Sequence, residues 1–424
     1  MTLLIKNAQV YKGNCFEPAD VLINGKNIEK VGTSISLNGD GRVFDFKGEY
    51  FLIPGFVDVH VHLREPGFSY KETIKTGTEA AARAGYSAVC PMPNLNPTPD
   101  CVENLKVQQD IIDKDAVIDV FPFATITKGR KGAGECVDFE ALKDKVIGFS
   151  DDGCGVQAKE LMREAMIGCK KAGSIISAHC EVNELLNGGY IHDGEYCKAH
   201  GHKGICSESE WGEIKRDCEL SKETGCRYHV CHISTKESVE IIRNAKAEGV
   251  NVTCETTPHY LTLCDDDLQE DGRFKMNPPL RSREDKEALI EGVIDGTVDV
   301  IATDHAPHSK EEKSKGLEKS AMGIVGLETA FPVLYTKFVK TGIISLEKLV
   351  YMMSVRPREI FKIEGGKIEA GAVASLCVLN LNKEWVVDPE KFLSKGRSTP
   401  FEGWQVFGEN VLTILRGDIV YEAI

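Results

Sequence analysis

The sequence predicts a (β/α)8 TIM barrel with a small β-sandwich domain formed from the N- and C-terminal segments. Three observations carry this. From residue 51 onward, short β-branched or apolar runs alternate with longer helical patterns, as expected of βα units and a parallel sheet. Eight such runs occur, "FVDVHVHL", "SAVCPMP", "AVIDVFPFAT", "KVIGFS", "SIISAHC", "RYHVCHIS", "VNVTCET" and "VDVIATD", the number a closed barrel needs. Polar residues gather where these runs end: His60, His62 and Arg64 at the first, Asn94 after the second, Asp152 at the fourth, His179 at the fifth, His232 at the sixth and Asp304 at the eighth. In a barrel these ends form the face that carries active sites. A doubly wound sheet with added strands is the competing architecture.

The elements follow in order. Residues 1–52, with "LLIKNAQVYKG", "DVLINGKNIEKVG" and "GRVFDFKGEY", read as hairpins with Asn-Gly and Gly turns. Residues 53–365 hold the barrel, opened by "GFVDVHVHLREPG". Strict alternation there places Asp58, His60, His62 and Arg64 on one face and Val57, Val59 and Val61 on the other, toward the helices. Burying two imidazoles, an acid and a guanidinium together is costly unless they pair or bind something. "YKETIKTGTEAAARAG" and "REDKEALIEGVIDG" are amphipathic and finish at glycine. Long connections after His179, to about Ser207, and after His308, to about Gly323, are lid candidates. "SKEEKSKGLEKS" in the second is expected to be mobile, and His200 and His202 in "KAHGHKG" to be solvated loop. Residues 366–424 return to strand patterns, "GAVASLCVLNLNKEWVV" and "LTILRGDIVYEAI"; neither terminal piece can bury a core alone, so they are expected to pack together.

Composition excludes several function classes. Among 424 residues, 42% are hydrophobic and 27% charged, the balance of a globular protein. Fifty-one basic against 65 acidic residues leave a net charge of −14, which opposes a sequence-independent grip on nucleic acid or an anionic membrane. No run reaches the length of a membrane helix, and the N-terminus lacks a signal-peptide pattern; a cytoplasmic location is expected. Fifteen cysteines without a CxxC pair read as reduced thiols, with Cys154, Cys180 and Cys231 as small core residues rather than ligands.

Four histidines and two aspartates on converging strand ends suit zinc and exceed what one open site needs. Two ions about 3.5 to 4 Å apart can share a hydroxide. A carboxylate must then bridge them; Asp152 in "FSDDGCG" is the candidate and Asp151 its rival. Asp304 in "ATDHAPH" takes the roles of ligand and catalytic acid/base. Arg64, Asn94 and His308 supply donors for a carboxylate or amide oxygen, so the expected partner is a small acidic amide or cyclic imide.

"DVHVHLREPG", "KETIKTGTEAAARAGY", "MPNLNP", "SDDGCGVQ", "AHCE", "YHVCHISTKES", "TPHYLTL", "NPPLR", "TDHAPH" and "GIVGLETAFP" together resemble the dihydroorotases of class I, the Bacillus-like group, within the amidohydrolase superfamily. The resemblance spans nearly the whole chain. HxH alone would mark only the superfamily; "HLREPG" with "MPN", "NPPLR" and "DHAPH" is narrower, shared in part with allantoinase. It implies reversible cyclisation of N-carbamoyl-L-aspartate to L-dihydroorotate in pyrimidine biosynthesis, with two Zn2+ per subunit. It further implies His60, His62 and Asp304 on the first zinc, His179 and His232 on the second, and Asp152 between them. Arg64, Asn94 and His308 would bind the substrate carboxylate beside His62, Asn277 would contact the ring, and the backbone of Met322 and Gly323 would close over it. Relatives differ over whether a carboxylated lysine bridges; Lys143 and Lys145 precede the fourth run, but the match to "DDG" points to Asp152. His229 and His259 are read as packing or hydrogen-bonding residues, and His305 as supporting its turn. A homodimer is expected, and association with an aspartate transcarbamoylase is left open. The rivals are an allantoinase or hydantoinase, which needs no carboxylate clamp, and a noncatalytic dihydroorotase-like subunit, whose relatives lack ligands that this chain keeps.

Overall fold

All eight expected runs form barrel strands in the computed structural model, which describes residues 2–37 and 39–424. They are Phe56–Val61, Tyr86–Pro91, a third strand in two pieces (Asp119–Val120 and Phe123–Ala124), Gly148–Phe149, Ile175–Ala178, Arg227–Val230, Val252–Thr256 and Val300–Ile301. The third strand breaks at Pro122, which has no N–H to offer a ladder. Pairing crosses the break all the same: the Phe121 N–H donates to Val89 O, and the Ile147 N–H to Pro122 O. Every barrel pair is parallel. The ring closes beyond the eighth strand, where Val61 bridges His305 and the His62 N–H donates to His305 O; closure decides against the doubly wound sheet.

The first strand does not keep the alternation expected of it. Val57 and Val59 pack with Ala88, Cys90, Phe123, Ile175, Cys231, Val300 and Ala302, while Val61 joins the larger outer cluster. Residues from opposite sides of a barrel meet only at its centre, so these two valines fill the lumen rather than face helices. The cause is an irregular register with the second strand, which slips between Phe56 and Val57 and again between Asp58 and Val61; such slips re-aim side chains. Phe361, at the end of helix Arg356–Phe361, joins this inner cluster, leaving the other end of the barrel to polar residues.

The two amphipathic patterns form helices Ile74–Arg83 and Arg283–Asp295. Ser282 and Asp285 cap the second reciprocally, and Gly296 ends it at φ +88°, a conformation glycine adopts without strain. The connection after His179 folds as a turn at Asn183–Leu185, a parallel pair Ile191–His192 with Gly204–Ile205, and helix Glu195–His200. His202 bonds Tyr190 Oη at 2.7 Å and Glu270 Oε1 at 2.8 Å, occupying both ring nitrogens, so this histidine braces the loop. The charged run expected to be mobile is instead folded into helices Lys310–Lys313 and Gly316–Lys319. Its anchor is Lys313, buried, with Nζ donating to Lys275 O at 3.0 Å and Ala321 O at 2.7 Å.

Both chain ends enter one eight-stranded sheet. Phe51–Pro54 pairs parallel with Thr2–Tyr11 and antiparallel with Leu376–Val386, so a single short strand joins the N-terminal and C-terminal halves. Gln405–Leu415 then meets the barrel: Thr413 Oγ1 donates to Ala82 O at 2.7 Å, and Asn410 Nδ2 to Arg83 O at 3.1 Å, capping the first barrel helix. Among the described residues, no helix is long and apolar enough to cross a membrane.

Candidate active site

The strand ends converge on a cavity of about 250 Å³ lined by His62, Arg64, Asn94, Asp152, His179, His232, Asn277, Asp304, His308, Met322 and Gly323. The structure thus brings together the residues expected to hold metal and substrate; His60 lies fully buried against the same cluster. His62 Nε2 stands 3.1 Å from Asp304 Oδ1, and His60 Nε2 stands 3.7 Å from it. Asp152 Oδ1 lies 3.3 Å from His60 Nε2, 3.5 Å from His232 Nε2 and 3.7 Å from His179 Nδ1. Yet neither Asp152 Oδ1 nor His60 Nε2 has a hydrogen-bond partner, although both are buried. Buried polar atoms are nearly always paired. Imidazole nitrogens and carboxylate oxygens enclosed around common points, with two of those atoms otherwise orphaned, are a donor set that fits divalent cations.

Two neighbouring aspartates separate cleanly. Asp151 is buried, not at the surface, and its carboxylate accepts from the backbone N–H groups of Ile126, Thr127 and Gly132 and from the Thr127 hydroxyl. It staples the loop after the third strand. Asp152 turns the other way, into the histidines. Lys143 pairs with Glu140 at 2.7 Å and takes no part in the cluster.

Three of the site's residues hold left-handed backbone: Arg64 at φ +60°, His232 at φ +30° and Asp304 at φ +47°. Non-glycine residues pay strain there, and such outliers concentrate where side chains must be aimed.

Sequence reasoning missed Glu255, on the seventh strand. Fully buried, it accepts from His60 Nδ1 at 2.7 Å, from His229 Nε2 at 3.1 Å and from the His232 N–H at 3.3 Å. Burial alone would raise its carboxyl, but His60 and His229 outweigh burial and hold it below the usual range. A proton fixed on His60 Nδ1 leaves Nε2 as a lone pair aimed at the cluster, the arrangement that metal-binding imidazoles require. An acid inside the apolar run "VNVTCET" was the available signal. His229, bonded also to Thr253 Oγ1 at 2.8 Å, has the hydrogen-bonding place expected of it. His305 receives the Gly326 N–H at Nδ1 and faces Glu72 through Nε2, supporting its turn. Burial pushes the Cys231 thiol up to about 12, so it stays a neutral core residue.

Burial, with Arg64 beside it, pulls His62 down to about 4, keeping a neutral, ligand-ready ring. Burial would raise Asp304, but the opposing interactions, the hydrogen bond from His62 first among them, outweigh it and hold the carboxyl at about 2. On the cavity's other wall, Arg64 Nη2 lies 3.4 Å from His308 Nε2, which donates to Met322 O at 2.8 Å. Asn94 Nδ2 donates to Asp152 O at 2.8 Å and Asn277 Nδ2 to Glu181 Oε1 at 2.8 Å, leaving the buried Oδ1 of each without a partner. Asn94, expected to help bind the substrate carboxylate, thus presents a free acceptor among the site residues.

A family model described as Dihydro-orotase-like matches residues 49–238. The chain is 51% identical over 420 residues to a dihydroorotase of Fusobacterium nucleatum, covering 99% of this chain and 98% of that one. It is 49% identical over 421 residues to a dihydroorotase of Staphylococcus aureus, covering 99% of each. Among solved structures, an L-hydantoinase (dihydropyrimidinase) from Arthrobacter aurescens superposes with a TM-score of 0.89 at 27% identity over 100% of this chain and 96% of that one. A dihydropyrimidinase from Brevibacillus agri, at TM-score 0.86 and 23% identity over 100% and 95% of the two chains, shares the fold. With the barrel, the terminal sheet and full-length identity near one half, the chain belongs to the dihydroorotase family.

Proposed function

We propose that the protein interconverts N-carbamoyl-L-aspartate and L-dihydroorotate, using two zinc ions held by His60, His62, Asp152, His179, His232 and Asp304. The observation that carries this is the juxtaposition, in one cavity, of an orphaned His/Asp cluster with paired donors at Arg64 and His308. Bound there, the ions would polarise a ring carbonyl and make a water acidic enough to attack it near neutral pH.

The chain's own residues supply the rest. Arg64 Nη2 lies 3.4 Å from His308 Nε2, so a substrate carboxylate accepting from Arg64 would also draw the Nε2–H that is otherwise given to Met322 O. The free Oδ1 atoms of Asn94 and Asn277 accept N–H groups of the cyclic amide. Asp304, which lines the cavity and is fixed through Oδ1 by His62, would take the proton on attack and return it to the departing ring nitrogen. Met322 and Gly323 border the cavity with main chain, limiting water around the ring. The donor pair is what separates this reading from a hydantoinase, whose ring has no carboxylate to meet it. All fifteen thiols are free, which supports the cytoplasmic setting proposed for the reaction.

The test is turnover by purified protein of L-dihydroorotate beside allantoin and dihydrouracil, with and without chelator. Chelator-sensitive turnover of dihydroorotate alone is expected. Turnover of a neutral ring alone would overturn the substrate assignment, and metal-replete protein inert on all three would favour the noncatalytic subunit.

A further inference from the structure

His308 has three neighbours that decide its protonation. Its Nε2 reaches Met322 O at 2.8 Å, a bond that requires the proton on Nε2. Its Nδ1 lies 3.2 Å from Lys71 Nζ, which can only donate, and 3.5 Å from Glu312 Oε2. Lys71 Nζ is held in turn by Glu312 Oε1 at 2.9 Å and lies over the Phe68 and Tyr70 rings. The charged groups facing the ring are therefore Arg64 and Lys71 from the segment after the first strand and Glu312 and Lys313 from the short helix Lys310–Lys313.

We propose that Lys71 is a positioning residue for carboxylate recognition: by donating to His308 Nδ1 it fixes the neutral Nε2–H tautomer and so pairs that donor with Arg64 Nη2. This rests on the functional reading above. Without Lys71, Glu312 would stand alone beside Nδ1 and draw a proton to it. With Lys71, the cations facing the ring outnumber its one anion, Glu312, which favours an incoming carboxylate. Burial, with Arg64 and Lys71 beside it, pulls His308 down to about 3, in agreement with a ring kept neutral.

Two measurements on full-length, metal-loaded protein test this. In nitrogen NMR of histidine-labelled protein, with His308 assigned by a His308→Gln variant, the wild type should show an Nε2–H neutral ring throughout pH 6–8, and Lys71→Met should show His308 titrating inside that range. In steady-state hydrolysis of dihydroorotate, Lys71→Met should raise KM about tenfold at pH 8 but no more than about threefold at pH 6, where the protonated ring substitutes for the lost cation. Metal content and kcat should stay within about threefold, and Lys71→Arg, which still donates, should restore both the tautomer and a pH-independent KM. A merely structural role would raise KM equally at both pH values. That result, or an Nδ1–H tautomer in the wild type, or identical His308 titration in both proteins, would overturn the assignment. Predicted nitrogen shifts in a protein inert toward dihydroorotate would sink the functional reading and leave the Lys71–His308 pairing standing.

Discussion

The pair Asp151 and Asp152 shows how far single residues determine the site. Strand alternation cannot tell the two apart, because both lie in the turn beyond Gly148–Phe149, where no period of two applies. Three-dimensional partners do: Asp151 is satisfied by backbone N–H groups, Asp152 by none at Oδ1. Asp152→Asn should therefore lose metal while keeping the fold, since it exchanges an orphaned carboxylate for an amide. Asp151→Ala should keep the ligands but cost on the order of 2–4 kcal/mol, because several buried donors lose their acceptor. Metal analysis and urea unfolding of both variants check this; metal loss from Asp151→Ala with Asp152→Asn fully loaded would reverse the two roles. The same limit explains what went unread. His60, His62, His179 and His232 were legible because each ends an apolar run, whereas Glu255 meets His60 across 195 residues of sequence and Lys71 meets His308 across 237, and no local pattern encodes those distances.

At the level of elements, apolar runs betray strands even when a proline splits one, and Gly or Ser/Asp punctuation betrays helix ends. Charge runs mislead, because a lysine buried by two carbonyls from distant segments looks in sequence like a solvated one; Lys313 is the instance. Helix Glu208–Thr224 makes the converse point, carrying two fully buried acids one turn apart. Glu213 accepts from the Glu181 N–H at 3.1 Å and from Arg216 Nη2 at 3.0 Å, while the same Arg216 donates through Nε to Asp217 at 2.7 Å. Glu181 in turn holds Asn277, so the helix reaches the site through one carboxylate. One cation between two buried anions leaves Glu213 raised above its ordinary 4.5, by burial and then by Asp217, with Arg216 opposing. A folded value above the unfolded one means that the native state holds the extra proton, so this contribution is present below about pH 4.5 and is lost as pH rises toward the folded value. Glu213→Gln, which cannot ionise, should show a shallower fall in urea midpoint between pH 5 and pH 9 than the wild type. Parallel pH profiles for the two proteins would show that Glu213 is ionised in the native state.

Across the whole molecule, the six proposed ligands come from the ends of the first, fourth, fifth, sixth and eighth strands, five of the eight staves of one closed ring. Ring closure itself passes through this region, where Val61 bridges His305 beside Asp304. Without cations, Asp304 is held by His62 and Asp152 Oδ2 by Asn94, while buried atoms such as Asp152 Oδ1 and His60 Nε2 go unpaired, a cost the fold carries by itself. The terminal sheet does not relieve it: it meets the barrel at the first helix and the second strand, and among the described residues none of the six proposed ligands hydrogen-bonds to it. Ligands that bind only the native state stabilise it by RT ln(1 + [L]/Kd), about 2.7 kcal/mol at a hundredfold excess over Kd. For a protein of this size that corresponds to a rise in Tm of roughly 3 °C. Chelated protein should therefore melt lower than zinc-loaded protein by about that amount, with the loss reversed on adding zinc back. His62→Ala, one ligand short, should show a smaller chelator effect, and Lys71→Met, whose side chain touches no ligand, should show the full one. An equal Tm with and without chelator would mean that the cluster binds no ion in the folded state, and the histidines at the strand ends would then need another explanation for their burial.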